Sequence, residues 1–454
     1  MQTVRVATVK SYADHSGIAA FIDNALDLDP NIAALLAVGS PERLIVIKPN
    51  WIQESHEYEP MIWEPVITHP DLILLLIRML ARRMQGRGTI CICDAPHTYA
   101  HWEMILARGN LVQGLKKLSS EWPELNVECL DLRREVWIRK EEVVAERLKN
   151  TEDPRGYVRF NLGRESLFYG HAGEGRYYGA DYDTSVVNAH HHGETQEYLI
   201  AGTPIRGDIF INLPKMKTHK KTGMTCCLKN LVGINGDKNW LPHHCEGSIN
   251  AGGDEFPETS SAKSIESTLK KMGRHLALNA PGGTWIYRKM RNTGLKVFGD
   301  SSTVIRNGNW SGNDTCWRMA LDLNRCLLHG DSDGQLGIQF KPYLAIVDGI
   351  IGGEGNGPLC PDPVNSGVLV AGTNPAVVDA AVARLMGFDP ECLPIVHEAF
   401  AKHPLPIVPG SLNEITIEDY RERTTIPIGN LREAVPGGFR PHFGWRNLER
   451  VEDR

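Results

Sequence analysis

Four short runs of β-branched and apolar residues, spaced by stretches of helical character, constrain the fold more than any other feature of the chain. They are VRVATV from Val4, LIVIKPN from Leu44, TICICDAP from Thr89 and NVECLDL from Asn126. Runs this short without polar alternation read as parallel strands buried on both faces. Between them, Pro70 to Arg83 reads as a helix, with Thr68 as its cap and a proline in its first turn. Strands alternating with helices predict an α/β fold with a doubly wound, mostly parallel sheet.

The pattern is interrupted twice. From about Val136 to Gly202, Gly, Tyr and His become frequent and the segments read as loops and antiparallel hairpins. The α/β pattern resumes at GDIFINLP, yields to a Gly/Ser-punctuated helical stretch from Ser260, and returns with YLAIVDGIIGGEGNGP. SGVLVAGTNPAVVDAAVARLMGF then reads as strand, turn and helix, opened by Asn374-Pro375 and closed by Gly387. The expected organisation is an α/β core begun in 1–133, an antiparallel insertion or lid in 134–205, and core with a basic segment in 206–259. A mainly helical insertion follows in 260–335, then the last part of the core in 336–404 and a surface-wrapping tail in 405–454.

Bulk properties exclude several function classes. A formal net charge of -6 over 454 residues argues against a general nucleic-acid partner. The longest apolar run, Leu72 to Leu80, is broken by Arg78 and is too short to span a bilayer, so no membrane partner is expected. The first residues hold no apolar core long enough for a signal peptide. The ten cysteines lack framework spacing and read as reduced thiols of a cytoplasmic protein. With no CxxCxxC run, no iron–sulfur cluster is expected.

The chemistry concentrates in INLPKMKTHKKTGMTCCLKNLVGINGDKNWLPHH, from Ile211 to His244. Pro214 ends a strand, and Lys215, Lys217 and His219 leave its carboxyl end, the edge at which open α/β sheets bind ligands. If that segment is extended, the three side chains share a face. A short helix is expected from about Gly223 to Val232, burying Met224, Cys227, Leu228 and Leu231. Lys229 then lies off the stripe, where it is either a solvated lysine near a helix end or a site residue. So many cations in one stretch repel one another, and an anionic partner would relieve that repulsion.

Further loops are expected to converge on the same edge. IKPNW contributes Lys48 and Asn50, and CDAPHTYAHW contributes Asp94 and His97, whose bland readings are a helix cap and a surface histidine. Asp348, Glu354 and Asn356 follow from the C-terminal half, with Asp379 on a helix flank. GGEGNGP has no following Gly-Lys-Ser/Thr, so it reads as a tight turn bringing backbone N–H groups towards a ligand. A divalent metal is a candidate cofactor, with His97, Glu354 and Asp379 as the ligands available. Consecutive His190, His191 and His192 alternate faces on a strand, which favours a hairpin over a metal site. Asp314, Arg318 and Asp322 read as an ion-pair ladder on a helix.

IKPNW, FINLPKMKTHKKTGMTCCLKNLVG, VDGIIGGEGNGP and NPAVVDAAVARLMGFDP, in this order, resemble the domain-of-unknown-function family 362. Many members carry an added ferredoxin-type module whose cysteines this chain lacks. A more distant resemblance is to the lactate racemases, which use a nickel-pincer nucleotide. His219, Lys229 and His244 are similar in spacing to that family's histidine, cofactor-bearing lysine and second histidine. The surrounding glycine and serine pattern is missing, so the cofactor is not carried over and remains unknown.

The resulting expectation is an enzyme acting on a small anionic metabolite, a carboxylate or a phosphorylated molecule. Its catalytic residues would be His219 as acid or base, Lys229 as electrophile or covalent anchor, and Asp94. Lys48, Asn50, Lys215, Lys217, Asn230 and Asn356 would bind the substrate. The reaction class is unread, with isomerase- or oxidoreductase-like chemistry in view. The alternative is a non-catalytic protein that captures an anion or a metal.

Overall fold

Leu44–Pro49 is buried at every position, and in the computed structural model of the chain it lies between two parallel neighbours. The structure describes residues 2–140, 143–180, 183–258 and 304–446, with a few single positions besides. From edge to edge the main sheet runs Thr425–Pro427, Ile415–Asp419, Gln2–Thr8, Val368–Gly372, Tyr343–Asn356, Ile209–Leu213, Leu44–Pro49, Gly88–Asp94 and Leu125–Asp131. The last five of these are parallel throughout.

Side-chain alternation explains how one sheet serves two cores. Ile45, Ile47, Ile90, Ile92, Ile209, Ile211, Leu344 and Ile346 join one apolar cluster, with Phe21, Leu76 and Leu118 from helices His15–Ala25, Pro70–Arg83 and Leu111–Glu121. Val46, Cys91, Cys93, Phe210, Ala345 and Val347 point the other way and join Leu321 and Val378 from helices Cys316–His329 and Pro375–Leu385. Helices therefore cover both faces, and the doubly wound reading holds.

Several expectations are corrected. Gln2–Thr8 pairs antiparallel with Val368–Gly372 and is only partly buried. Leu125–Asp131 is an edge strand and is likewise half-buried. Thr68 does not cap the Pro70–Arg83 helix; His69 Nδ1 accepts from the Asp71 N–H instead. The Thr68 hydroxyl donates to the Leu213 carbonyl at 2.7 Å and accepts from the Asn50 N–H at 2.8 Å, tying two strand ends together.

The glycine-rich segment is strand, not turn, since Tyr343–Asn356 continues through it, paired with Cys360–Val364. The helix expected over 223–232 forms late. Gly223, at a φ of 77°, turns the chain back so that Gly223–Thr225 pairs with Lys215–His219. One helical turn follows at Cys227–Asn230, then a tighter turn at Leu231–Ile234.

The insertion contains the expected hairpins, Glu135–Lys140 with Val143–Lys149 and Tyr157–Asn161 with Thr195–Ala201, and also a short helix, Thr184–His190. His191–His192 forms a hairpin with Thr195 and Gln196. The helical stretch expected from Ser260 lies largely outside the described residues, whose nearest helix is Cys316–His329. On it Arg318 pairs with Asp314 at 3.0 Å, whereas Asp322 faces the core and pairs with Arg325 at 3.1 Å. The C-terminal tail does more than wrap the surface: Ile415–Asp419 adds to the sheet parallel to Gln2–Thr8, and Phe439 and Trp445 are buried.

Candidate functional site

A cleft of about 110 Å³ opens beside the carboxyl ends of Leu44–Pro49 and Gly88–Asp94. It is the edge the sequence singles out. Lys48, on the first of these strands, is fully buried and holds Asp94 Oδ1 at 2.8 Å. Its ammonium also donates to the Pro49 carbonyl at 2.7 Å and to Asn230 Oδ1 at 3.2 Å. Burial pulls the Lys48 pKa down, and Asp94 opposes that pull. The other Asp94 oxygen accepts from the Trp51 N–H, so this carboxylate is committed on both sides.

Asn230 fixes the neighbourhood. Its Nδ2 donates to the Lys48 and Pro49 carbonyls and to Asn212 Oδ1, which leaves its Oδ1 to accept from Lys48 and from Asn50 Nδ2. The amide orientation of Asn50 follows, and its Oδ1 is buried with no hydrogen-bond partner among the described residues.

The basic strand Lys215–His219 is buried at all five positions, but it divides its cations. Lys217 and His219 line the cleft and Lys215 does not. Lys215 donates to Asp348 at 3.0 Å and to the Tyr12 hydroxyl at 2.9 Å, a fully buried ion pair away from the site. The cause is an irregularity in register with the neighbouring strand: Lys215 lies opposite Asp348, but Lys217 lies opposite Gly353. The expectation that three alternate residues form one functional face is thereby corrected.

Thr225, opposite Lys217 in the antiparallel pair, also lines the cleft. Its hydroxyl is buried and has no hydrogen-bond partner among the described residues. Lys229 is 8% exposed rather than solvated, and it lines the cleft too. Among the described residues, its ammonium has no hydrogen bond or ion pair. Burial, and further behind it the charge of Lys229, disfavours positive charge on Lys217, His219, Lys221, Lys238 and His243. Lys229 is, among the described residues, the one charge that acts on all five of these groups.

Two lining residues, Lys238 and His243, were not singled out as site residues from the sequence. Both lie inside the basic stretch, yet nothing in local spacing places them opposite Lys229. Lys238 donates to the Val232 carbonyl at 2.9 Å, and burial brings its pKa to about 7. The two histidines are fixed in opposite tautomers. His219 Nδ1 accepts from the Lys221 N–H at 3.0 Å, so the neutral ring carries its proton on Nε2. His243 Nδ1 faces the Leu241 carbonyl at 2.8 Å and must donate, which leaves Nε2 as an acceptor. Burial holds both rings neutral, with pKa values well below the usual histidine range. His97 lines the same cleft and is depressed by burial and then by Arg139.

Other candidates are elsewhere. Asn356 is exposed and pairs in register with Cys360, and Glu354 accepts from the Arg440 N–H at 2.8 Å; neither lines the cleft. The proposed metal set of His97, Glu354 and Asp379 is not brought together. Asp379 instead accepts from the Cys227 and Leu228 N–H groups at 2.7 and 3.0 Å, capping the Cys227–Asn230 turn. Its carboxylate lies with the Cys226 and Cys227 thiols, ligand atoms within 4.8 Å of one another and all buried, the one such group among the described residues. His244 lies outside the cleft lining, its ring stacked on Tyr178 and its Nδ1 3.2 Å from Lys221 Nζ. The spacing shared with lactate racemases therefore does not gather its three residues at one cleft.

A doubly wound α/β sheet with a buried, cation-rich cleft at its carboxyl edge is the class of protein these features define. Residues 161–384 match the family described as Domain of unknown function (DUF362). None of the curated proteins matches the chain. Two solved structures are similar. One is a protein from Thermotoga maritima, 10% identical over 78% of this chain and 56% of its own, with a TM-score of 0.31. The other is the lactate racemase apoprotein from Thermoanaerobacterium thermosaccharolyticum, 10% identical over 75% of this chain and 50% of its own, with a TM-score of 0.28. The matched chain spans about half the length of each. At these scores neither likeness bears on the site. No described helix is long and apolar enough to cross a membrane.

Proposed function

We propose that this protein is an enzyme that acts on a small anionic metabolite, a carboxylate or a phosphorylated molecule, by acid–base chemistry. One observation carries the reading: Lys48, Lys217, Lys229 and Lys238 line one cleft with, among the described residues, a single carboxylate, Asp94, which Lys48 already holds. The excess charge calls for an anion supplied from outside. Lys217, Lys229 and Lys238 bind it, and Asn230 positions Lys48 and Asn50.

The opposite tautomers support the chemistry. Neutral His219 offers its Nε2 proton as a hydrogen bond that polarises the ligand, while the bare Nε2 of His243 acts as base. Asp94, committed to Lys48 and Trp51, orients them. We place the reaction in the cytoplasm, on the ten free thiols. A metal, if one is used, has no ligand set in this cleft among the described residues.

The test is incubation of the protein with pooled small carboxylates and phosphate esters, followed by mass spectrometry of the pool. Conversion of one anion is expected, with His219→Ala and His243→Ala each lowering turnover by about 10²- to 10⁴-fold. An anion that binds and is recovered unchanged would replace this reading with a non-catalytic anion-binding protein.

A further inference from the structure

Resting on the anion-site reading, we infer that the ligand carries a compact dianionic head with a hydroxyl close by, as a phosphate monoester of a small hydroxylated molecule does. Three polar groups left without partners carry this. The Thr225 hydroxyl and the Asn50 Oδ1 are buried, line the cleft and have no hydrogen-bond partner among the described residues. The Lys229 ammonium, on a residue that lines the same cleft, has no hydrogen bond or ion pair among the described residues. Buried polar groups are almost always satisfied, so groups left open on one cleft describe the molecule that completes them.

The donors define the head. Lys217 and Thr225 are opposed in register, so their side chains share a face of the hairpin. Lys229 lies four residues beyond Thr225 and electrostatically touches Lys217, His219, Lys238 and His243. Beyond the Lys48–Asp94 pair, three lysine ammonium groups remain without a lining carboxylate among the described residues. A monocarboxylate offsets one of them. A phosphoryl group brings two charges and three terminal oxygens, and it accepts from Lys229, from the Thr225 hydroxyl and from a neighbouring lysine together.

The acceptor defines what sits beside the head. Asn50 cannot turn its amide, because Nδ2 is held at 2.9 Å by Asn230 Oδ1, whose own orientation three acceptors of Nδ2 fix. Its Oδ1 therefore faces the ligand as an acceptor, and no anionic oxygen can satisfy it. An alcohol O–H can.

Calorimetric titration at pH 7, where phosphate monoesters are largely dianionic and Lys238 still holds part of its charge, separates these claims. Inorganic phosphate is expected to bind at least about tenfold more tightly than acetate. 2-Hydroxyethyl phosphate is expected to bind about fivefold more tightly than ethyl phosphate, a preference that disappears in Asn50→Ala. The near-isosteric Thr225→Val weakens all the phosphates by about fivefold or more with Tm unchanged. Acetate binding as tightly as phosphate would overturn the dianion, and equal affinity for the two esters in the unaltered protein would overturn the neighbouring hydroxyl. Binding of none of the four probes would remove the anion site itself, a separate failure.

Discussion

Gly233 shows how closely single residues are fitted to this cleft. A Cβ at that position would fall 2.1 Å from Asp94 Oδ1 and 2.6 Å from Lys48 Nζ. Only glycine lets the turn after Lys229 cover the ion pair. Gly233→Ala should therefore cost about 1–3 kcal/mol in chemical denaturation and weaken sulfate binding, because the pair must move into the cleft. Lys238 predicts the pH response. Burial lowers its pKa to about 7, with Asp94 opposing and Lys48 and Lys229 reinforcing. Between about pH 7 and its ordinary value the unfolded chain holds a proton that the folded chain has released, so this lysine makes stability rise with pH across that window. An anion needs the ammonium, so binding runs the other way and weakens above about pH 7. Sulfate, a dianion across this range, should show that fall by calorimetry, and Lys238→Met should flatten it. At this scale the sequence was informative about Lys48, Asn50, Asp94, Lys217 and His219, because each leaves or follows a strand end; Lys229 it placed only off the buried stripe of a short helix. It was silent on Thr225 and His243, whose importance lies in missing or oriented hydrogen bonds.

At the scale of elements, the basic strand looked like one functional face and is two. Alternation predicts which side a residue faces only while the neighbouring strand keeps register, and that register breaks between Lys215 and Lys217. Lys215 and Asp348 are buried together with Tyr12. Asp348→Ala leaves an unpaired buried ammonium and should cost about 3–5 kcal/mol in stability, while sulfate affinity at a temperature where the variant is folded stays unchanged. Loss of sulfate binding in the folded variant would place Lys215 back in the site. The turn that carries Lys229 depends on a different acid. Asp379 caps Cys227 and Leu228 from another helix, which is why an apolar stripe alone misplaced the start of that helix. Asp379→Ala leaves both N–H groups open and should cost about 1–3 kcal/mol. It should also weaken anion binding, since Lys229 rides on that turn.

Across the whole molecule, the parallel half of the sheet was legible because its strands are apolar on both faces and its helices alternate with them. The antiparallel half was not, since an apolar run does not declare the direction of its neighbour. Val368–Gly372 is as uniformly buried as Ile209–Leu213, yet it runs antiparallel to both its neighbours. The contribution of 405–454 was equally hidden, because Ile415–Asp419 reaches the sheet only through pairing with Gln2–Thr8, the most distant part of the sequence. What this architecture achieves is convergence: Lys48, Asp94, Lys217, Lys229 and His243 come from separate strands, turns and loops to one cleft. The central claim is that Lys229 anchors an anion there. Its most direct test is calorimetric titration of sulfate into the unaltered protein and Lys229→Met, at low and at high salt. The account predicts one-to-one binding that salt weakens and Lys229→Met abolishes with the fold intact. Equal affinity in the two proteins, or no binding to the unaltered one, would contradict it.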